Sequence, residues 1–414
     1  MKYLSSVVGA CVGTALLAAC GGSNSFSSST PASVTPQTAS QVAYGRHGAH
    51  RVGKNAQMET VLHSFGGSGD GANPSAGLTD VGGTLYGTTV GGGAHFVGTV
   101  YNITTSGEES VVYSFTGSPD GNGPAADLTE VGDTLYGTTQ HGGANGDGTV
   151  FKITCRIARC TESVLHSFAG KPDGDSPESS LTKVGETLYG TTRYGGAGGC
   201  RLGCGSVFKI TTSGAYSLLY SFTGSPDGAK PSAGLTDVGG TLFGTTPRGG
   251  ANDKGSVYKI TTSGAESVLY SFTGSPDGAE PRANVTNVEG TLYGTTALGG
   301  ANDKGTLYKI TAFGTETVLY SFAGAPTDGE FPSTGLTNVG ATLYGTTRNG
   351  GASGPGVIFA FVKPSGPEFV LYNFKGNPDG ALPESGLTNV GGTLYGTTFV
   401  GGANGPGAVF SLSP

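Results

Sequence analysis

The tetrad Leu242-Phe243-Gly244-Thr245 recurs with Tyr in place of Phe at Tyr86, Tyr136, Tyr189, Tyr293, Tyr344 and Tyr395, giving seven copies spaced by 50, 53, 54, 50, 51 and 51 residues. A repeat of that length carrying several short strands is the signature of a β-propeller, whose units cannot bury their own faces until neighbours stack on them. Around the tetrad, the chain reads Leu235-Thr236-Asp237-Val238, a Gly239-Gly240 step, Thr241 to Thr246, a glycine-rich connection, Ser256 to Thr261, a Ser263-Gly264 connection and Val268 to Phe272. Four short β-rich runs separated by turn residues predict a four-stranded antiparallel meander, with strands lettered A to D. Apolar residues fill both parities of strand C, as Val257, Tyr258 and Ile260 show, which suits a strand covered on both faces. The steps Gly82-Gly83, Gly132-Asp133 and Gly239-Gly240 suit two-residue hairpins at positive φ.

Strand count adds a closure argument. A D strand, Val61 to Phe65, precedes the first A strand, and the last run, Ala408 to Leu412, is a C strand with no D strand after it. Pairing these two completes seven blades and leaves no open edge. The expected fold is therefore all-β: a seven-bladed β-propeller of four-stranded antiparallel blades over residues 59–414, closed by the N-terminal strand pairing with the last blade. A parallel β-helix has coils of roughly 20–30 residues, and a string of small sandwiches would strand both ends.

Composition fits once the periodicity is recognised. Gly (78) and Pro (21) make up about a quarter of the 414 residues, a content otherwise met in low-complexity chain. Their fixed offsets beside Leu, Val, Tyr and Phe mark turns between short strands instead. With 22 basic and 29 acidic residues the net charge is −7, which argues against a nucleic-acid partner.

Residues 1–19 carry one basic residue, an apolar run and small residues, as in a secretory leader too short to span a membrane. Leu17-Ala18-Ala19-Cys20 resembles the bacterial lipobox. The resemblance implies cleavage before Cys20 and acylation of that cysteine, palmitate included, as a lipoprotein anchor. Gly21 in place of Asp implies, by the sorting rule of that class, the outer membrane, facing the periplasm or the cell surface. An ordinary signal peptide cut nearby is the alternative. Residues 20–58, rich in Ser, Thr, Pro, Gln, Ala and Gly, are expected to be a disordered tether reaching on the order of 30–37 Å.

The runs at 268–278 (Val268-Leu269-Tyr270-Ser271-Phe272 to Gly278), 234–246 and 249–261 resemble the bacterial GloVer tandem repeats, over residues 61–414. The resemblance implies an exported protein of this architecture, in a family whose members use different surface anchors. It implies no activity. The strand order is also similar to kelch propellers, but Gly-Thr-Thr stands where those have paired glycines, and the chain has no Trp.

Cys155 and Cys160 lie in the C-to-D connection of blade 2, and Cys200 and Cys204 in the B-to-C connection of blade 3. Those connections sit on opposite faces of a meander, so two local disulfides are expected rather than a four-cysteine zinc site.

The B-to-C and D-to-A connections share one face and are the longer set, so a ligand site is expected there near the central channel. Candidate ligand residues are His95, His141, Arg193, Asn252, Asp253, Asn302 and Asp303. His95 and His141 form a two-histidine metal candidate without a third ligand, while Asn252-Asp253 and Asn302-Asp303 are either pocket residues or solvated loop tips. Asp70, Asp120, Asp173, Asp227, Asp277, Asp328 and Asp379 make a ring of seven acids, each followed by Gly. Calcium binding is one reading of that ring, and turn capping, with no cofactor, is the favoured one. His63 and His166 stand where other D strands have Tyr and are read as structural substitutions. No Ser-His-Asp, phosphate-loop or zincin motif appears, and no catalytic or metal residue is assigned. The functional expectation is an exported, lipid-anchored monomeric propeller that binds a protein, peptide or polysaccharide and touches the membrane through its lipid alone. The alternative is an exported lyase or glycan-active enzyme with its site on the same face.

Overall fold

Thr236–Val238, Thr241–Thr246, Ser256–Thr261 and Glu266–Ser271 form strands A to D of blade 4, hydrogen-bonded in that order. The structure is a computed structural model that describes residues 59–66, 69–156 and 159–414. Cys20 and the expected leader and tether lie outside the described residues. Blades 1 to 3, 5 and 6 repeat the same antiparallel order, beginning with Thr79–Val81, Thr129–Val131, Thr182–Val184, Thr286–Val288 and Thr337–Val339. In blade 7, Thr388–Val390, Thr393–Thr398 and Ala408–Leu412 are completed by Glu59–Ser64. That first strand runs antiparallel to the last, with Val61 opposite Phe410 and Ser64 opposite Ala408. The fold is a seven-bladed β-propeller closed as the strand count predicts.

The repeated Thr-Leu-aromatic-Gly-Thr-Thr of strand B divides its side chains between two blade junctions. Leu242 packs with Tyr258 and Ile260 against Tyr189, Val207 and Phe222 of blade 3, while Phe243 packs against Val285, Leu292 and Tyr308 of blade 5. Among the described residues there are seven such cores, one per junction, and the closing one joins Phe65, Tyr395 and Val409 to Leu78, Leu85, Tyr101 and Ile103. Gly244 is not a turn residue. It lies mid-strand opposite Tyr258, and a Cβ there would meet the Tyr258 hydroxyl at 2.4 Å. The glycine exists to let the aromatic of strand C lie flat across strand B; Phe151, Phe208, Phe359 and Phe410 do the same over Gly137, Gly190, Gly345 and Gly396.

The first threonine after each glycine ties its blade to the next: Thr245 Oγ1 donates to the Ala283 carbonyl at 2.9 Å, and Thr397 returns to Ala76 at 2.8 Å. Strand A threonines make a second ring, from Thr79 to the Leu128 carbonyl (2.7 Å) round to Thr388 donating to Leu78. The second threonine of the pair stays within its blade, as Thr246 Oγ1 to Ser256 Oγ at 2.8 Å shows. Hydrogen bonding and burial therefore both require neighbours, so a single unit lacks half of each junction.

On the B-to-C and D-to-A face, the glycine-rich connections are more ordered than the sequence indicates. Gly228–Ala229 pairs antiparallel with Arg248–Gly249, and equivalent two-residue ribbons occur in blades 1, 3, 5, 6 and 7. In blade 2 a single bridge joins Asn122 to His141. A two-residue strand has no hydrophobic period to betray it.

Candidate functional site

Each D-to-A loop ends in a proline that delivers the chain to strand A at the channel. The residue before that proline is left-handed in every blade: Asn73 (φ 59°), Gly123 (68°), Ser176 (55°), Lys230 (60°), Glu280 (55°), Phe331 (62°) and Leu382 (55°). Such backbone costs energy for a residue with a Cβ and must be held from outside. The holding bonds come from the preceding blade's B-to-C loop: Lys230 N–H donates to the Cys204 carbonyl at 2.7 Å and Glu280 N–H to that of Lys254 at 2.8 Å. The loop-face mouth of the channel is thereby a rigid rosette.

The residues after the proline, Ser75, Ala125, Glu178, Ser232, Arg282, Ser333 and Glu384, line a cavity of about 130 Å³ around the axis. Deeper in, just before the first apolar residue of strand A, stand Gly77, Asp127, Ser180, Gly234, Asn284, Gly335 and Gly386. Side chains and glycines share this ring: a Cβ on Gly234 would meet Ser180 Oγ at 2.5 Å, and one on Gly335 would meet Asn284 Oδ1 at 2.6 Å. Asp127 Oδ1 accepts the Gly77 N–H at 2.6 Å. Asp127 is exposed to the channel, yet protein crowded around its carboxyl group raises it above the usual carboxylate range despite the bond from Gly77.

The rim is charged and largely self-neutralising. Arg193 Nη1 donates to both carboxylate oxygens of Glu178 at 3.1 Å, Arg248 and Arg282 flank Glu280 at 2.7 and 2.6 Å, and Arg348 Nε meets Glu384 at 2.7 Å. Arg282 also lies over the Phe331 ring at 5.2 Å, and Arg193 and Lys230 lie 5.5 and 5.6 Å from the Tyr194 centroid.

Of the residues singled out from sequence, Arg193 belongs to this rim through Glu178. His95 and His141 are exposed in the B-to-C loops of blades 1 and 2, and no third donor joins them in a metal-ligand group among the described residues. Asn252 Nδ2 and Asn302 Nδ2 each donate at 3.1 Å to the carbonyl closing the D strand, Phe272 and Phe322, while Asp253 and Asp303 cap Gly249 and Gly299 N–H at 2.9 Å. These four side chains hold their own loops. The disulfides are local, Cys155–Cys160 and Cys200–Cys204, with Cα separations of 4.0 and 5.1 Å.

The ring of aspartates caps turns. Asp227 Oδ2 accepts from Tyr220 Oη (3.1 Å) and Thr223 N–H (2.9 Å), and its Oδ1 from Gly228 N–H (2.6 Å). His63 and His166 replace that tyrosine and bond Asp70 and Asp173 at 3.2 and 3.0 Å. Beside each aspartate sits a residue that opens the next blade's D strand or, in the longer D strand Arg159–Ser167 of blade 2, stands fourth in it. It is glutamate at Glu59, Glu109, Glu162, Glu266, Glu316 and Glu368, and every one of these has an Oε1 that is buried without a partner. At the seventh junction Tyr216 takes the place and donates its hydroxyl to Asp173 Oδ1 at 2.5 Å. The tyrosine reveals what the position requires, a donor toward the aspartate, and a glutamate supplies one only as the acid. Burial first and the aspartate charge second push the glutamates up to about 7, and Glu368 to about 8. His63, Asp70 and Glu109 have donor atoms within 4.8 Å of one another and are the metal-ligand group found among the described residues. The same orphaned glutamate oxygen recurs at junctions without a histidine, so protonation accounts for all six.

Asp127, Ser180, Glu178, Asn284, Arg282, Arg348 and Glu384 escaped the sequence reading. Stacking the seven repeats on their Pro-to-Leu segment would have found most of them, since that is where the blades differ.

A family profile described as the Gloeobacter/Verrucomicrobia repeat matches residues 34–253, 156–285 and 238–414. No curated protein matches the chain significantly. Among solved structures, an ancestral GH74 enzyme is similar at 12% identity over 83% of this chain and 48% of that one, with a TM-score of 0.53. Puromycin hydrolase is similar at 13% identity over 80% and 50%, with a TM-score of 0.50. A putative gluconolactonase is similar at 13% identity over 77% and 95%, with a TM-score of 0.41. The chain spans about half the length of the first two, and at these identities the likeness shows a shared fold alone.

Proposed function

The chain belongs to the Gloeobacter/Verrucomicrobia repeat family, and from that premise we propose that it is an exported, lipid-anchored binding module whose ligand sits at the loop-face mouth of the channel. One observation carries the reading: at the mouth the blades differ in side-chain chemistry while their strand B is constant. Strand B is Thr-Leu-Tyr-Gly-Thr-Thr in six blades and differs by one hydroxyl in the seventh, whereas the post-proline position runs Ser, Ala, Glu, Ser, Arg, Ser, Glu. A fold that needed only to close would have no use for such a set on a rigid rosette, where side-chain identity translates into recognition at little ordering cost. Hydroxyl, amide and paired charged groups favour a polar, hydroxylated ligand such as a polysaccharide. Export and anchoring rest on the leader and on Leu17-Ala18-Ala19-Cys20.

The test is a glycan and cell-envelope capture screen with the mature chain, repeated with Arg282→Ala/Glu384→Ala. Capture that the double variant loses supports the reading, and capture it leaves unchanged removes the mouth from it. Turnover of a captured glycan would replace the module by the enzyme alternative. Mass spectrometry of the native N-terminus should find an acylated Cys20; an unmodified terminus elsewhere would remove the anchor.

A further inference from the structure

We propose that His63, Asp70 and Glu109 bind a divalent transition-metal ion of the zinc class and so clasp blade 7 to blade 1. The site lies between outer strands, apart from the channel mouth, and does not depend on the reading given above. His63 belongs to the first strand, Glu59–Ser64, which completes blade 7; Asp70 follows it in the loop toward blade 1; Glu109 opens Glu109–Ser114, strand D of blade 1. One ligand atom from each residue can be chosen so that all three lie within 4.8 Å of one another. His63 Nε2 and Asp70 Oδ2 are 3.2 Å apart, close to the roughly 3.3 Å between neighbouring ligands of a tetrahedral ion bound at about 2.0–2.1 Å. Glu109 reaches the same spacing with about 1.5 Å or less of side-chain movement, and its Oε1 is buried without a partner.

The other junctions supply the comparison. Glu266 and Glu316 are also unpartnered at Oε1, but Tyr220 and Tyr270 bond the aspartates there where His63 bonds Asp70. Between blades 2 and 3 the histidine is present as His166, but Tyr216 replaces the glutamate, stacking on the imidazole at 3.7 Å and bonding Asp173. Among the described residues, an imidazole and two carboxylates meet only between blades 7 and 1. A proton serves Glu109 in the metal-free chain as it serves the other glutamates, whereas an ion of this class draws on the nitrogen as well. Ca²⁺ and Mg²⁺ prefer shells of six or more oxygens, while one imidazole with two carboxylates suits zinc and leaves its fourth position to water. The supports of such a site are in place. Gly71 N–H donates to Asp70 Oδ1 at 2.6 Å and Gly66 N–H to Oδ2 at 3.1 Å, which fixes that carboxylate. Tyr101 is fully buried, and its unpartnered hydroxyl feels the charge of both Glu109 and Asp70. The side chains of His63 and Asp70 are 22% and 16% exposed, which gives the ion a way in. Binding replaces the His63–Asp70 hydrogen bond, takes the neutral imidazole and releases the glutamate proton to solvent.

The experiment follows the melting midpoint of the chelator-treated mature chain with and without Zn²⁺, alongside isothermal titration with the same ion. Zinc at about a hundredfold excess over its Kd should raise the midpoint by a few degrees. Glu109→Gln should weaken zinc binding by about tenfold or more. His63→Tyr restores the tyrosine, aspartate and glutamate set of the other junctions, so it keeps the fold and should abolish the rise. Tyr216→Glu places a glutamate beside His166 and Asp173 and should add a second bound ion. A midpoint that zinc leaves unchanged overturns the inference, as does a rise that both His63→Tyr and Glu109→Gln retain, which would trace it to other residues. The same rise with Ca²⁺ at the same concentration would overturn the zinc-class assignment. A folded Tyr216→Glu chain that takes no second ion would count against the trio as the site.

Discussion

Gly244 shows how much one residue type decides. Its backbone is ordinary, yet the Tyr258 ring occupies the place a side chain would take, so the need is for space and not for conformational freedom. Gly239 differs, being left-handed at φ 61° in the A-to-B hairpin with nothing near it. Gly244→Ala should cost about 1–3 kcal/mol through overpacking, read as a lower midpoint in urea unfolding. An unchanged midpoint would mean that the ring does not lie across strand B. The tetrad was legible as a period, but the job of its glycine was not, because a glycine in a string of letters looks the same in a turn and under an aromatic. Asp127 was missed for a related reason. It is one acid among 29, made special only by the convergence of seven loops on one axis.

Strand D is the element whose chemistry the sequence concealed. Each strand and its turn were readable from the alternation and from Ser-Pro-Asp-Gly, including the capping role of the aspartates. The glutamate opening the next strand D looks like a solvent-facing charge, and only stacked blades bring it against the aspartate. Glu266 faces Asp227, Tyr220 and the Tyr258 hydroxyl, and burial ahead of the Asp227 charge pushes it to about 7, against 4.5 for the ordinary group. The folded chain therefore holds a proton that the unfolded chain releases between those values, so this contribution is complete below 4.5 and is lost as pH rises through about 7. Burial pushes Asp70 and Asp173 upward, but the hydrogen bonds they accept, led by those from their histidine partners, outweigh it and hold them low, so they work the opposite way and lose their contribution as pH falls below the usual carboxylate range. Thermal midpoints should accordingly fall from pH 5 to pH 8. Glu266→Gln combined with Glu316→Gln, which supplies a permanent donor, should raise the midpoint at pH 8 more than at pH 5. A midpoint that rises across this range, or an equal effect of the substitutions at both ends, would show these glutamates to be ordinary ionised groups.

At the scale of the molecule, every level agrees on a ring: the period, the strand count, the two circuits of threonine bonds and the seven cores. The closing junction matters most, since the mouth, its rosette of left-handed residues and the cavity around Asp127 exist only if blade 7 meets blade 1. Closure was legible because two incomplete blades complement each other; the contents of the channel were not, because no local pattern marks the residues that face an axis. The most direct test pairs Thr60→Cys with Ser411→Cys, which lie opposite each other on the first and last strands. Neighbouring antiparallel residues lie within the Cα separation a disulfide spans. Mild oxidation of the folded double variant should give an intramolecular bond between positions 60 and 411, found by peptide mass spectrometry, and a raised melting midpoint. A folded chain that forms only intermolecular bonds, or none, would contradict the closed ring and every site built on it.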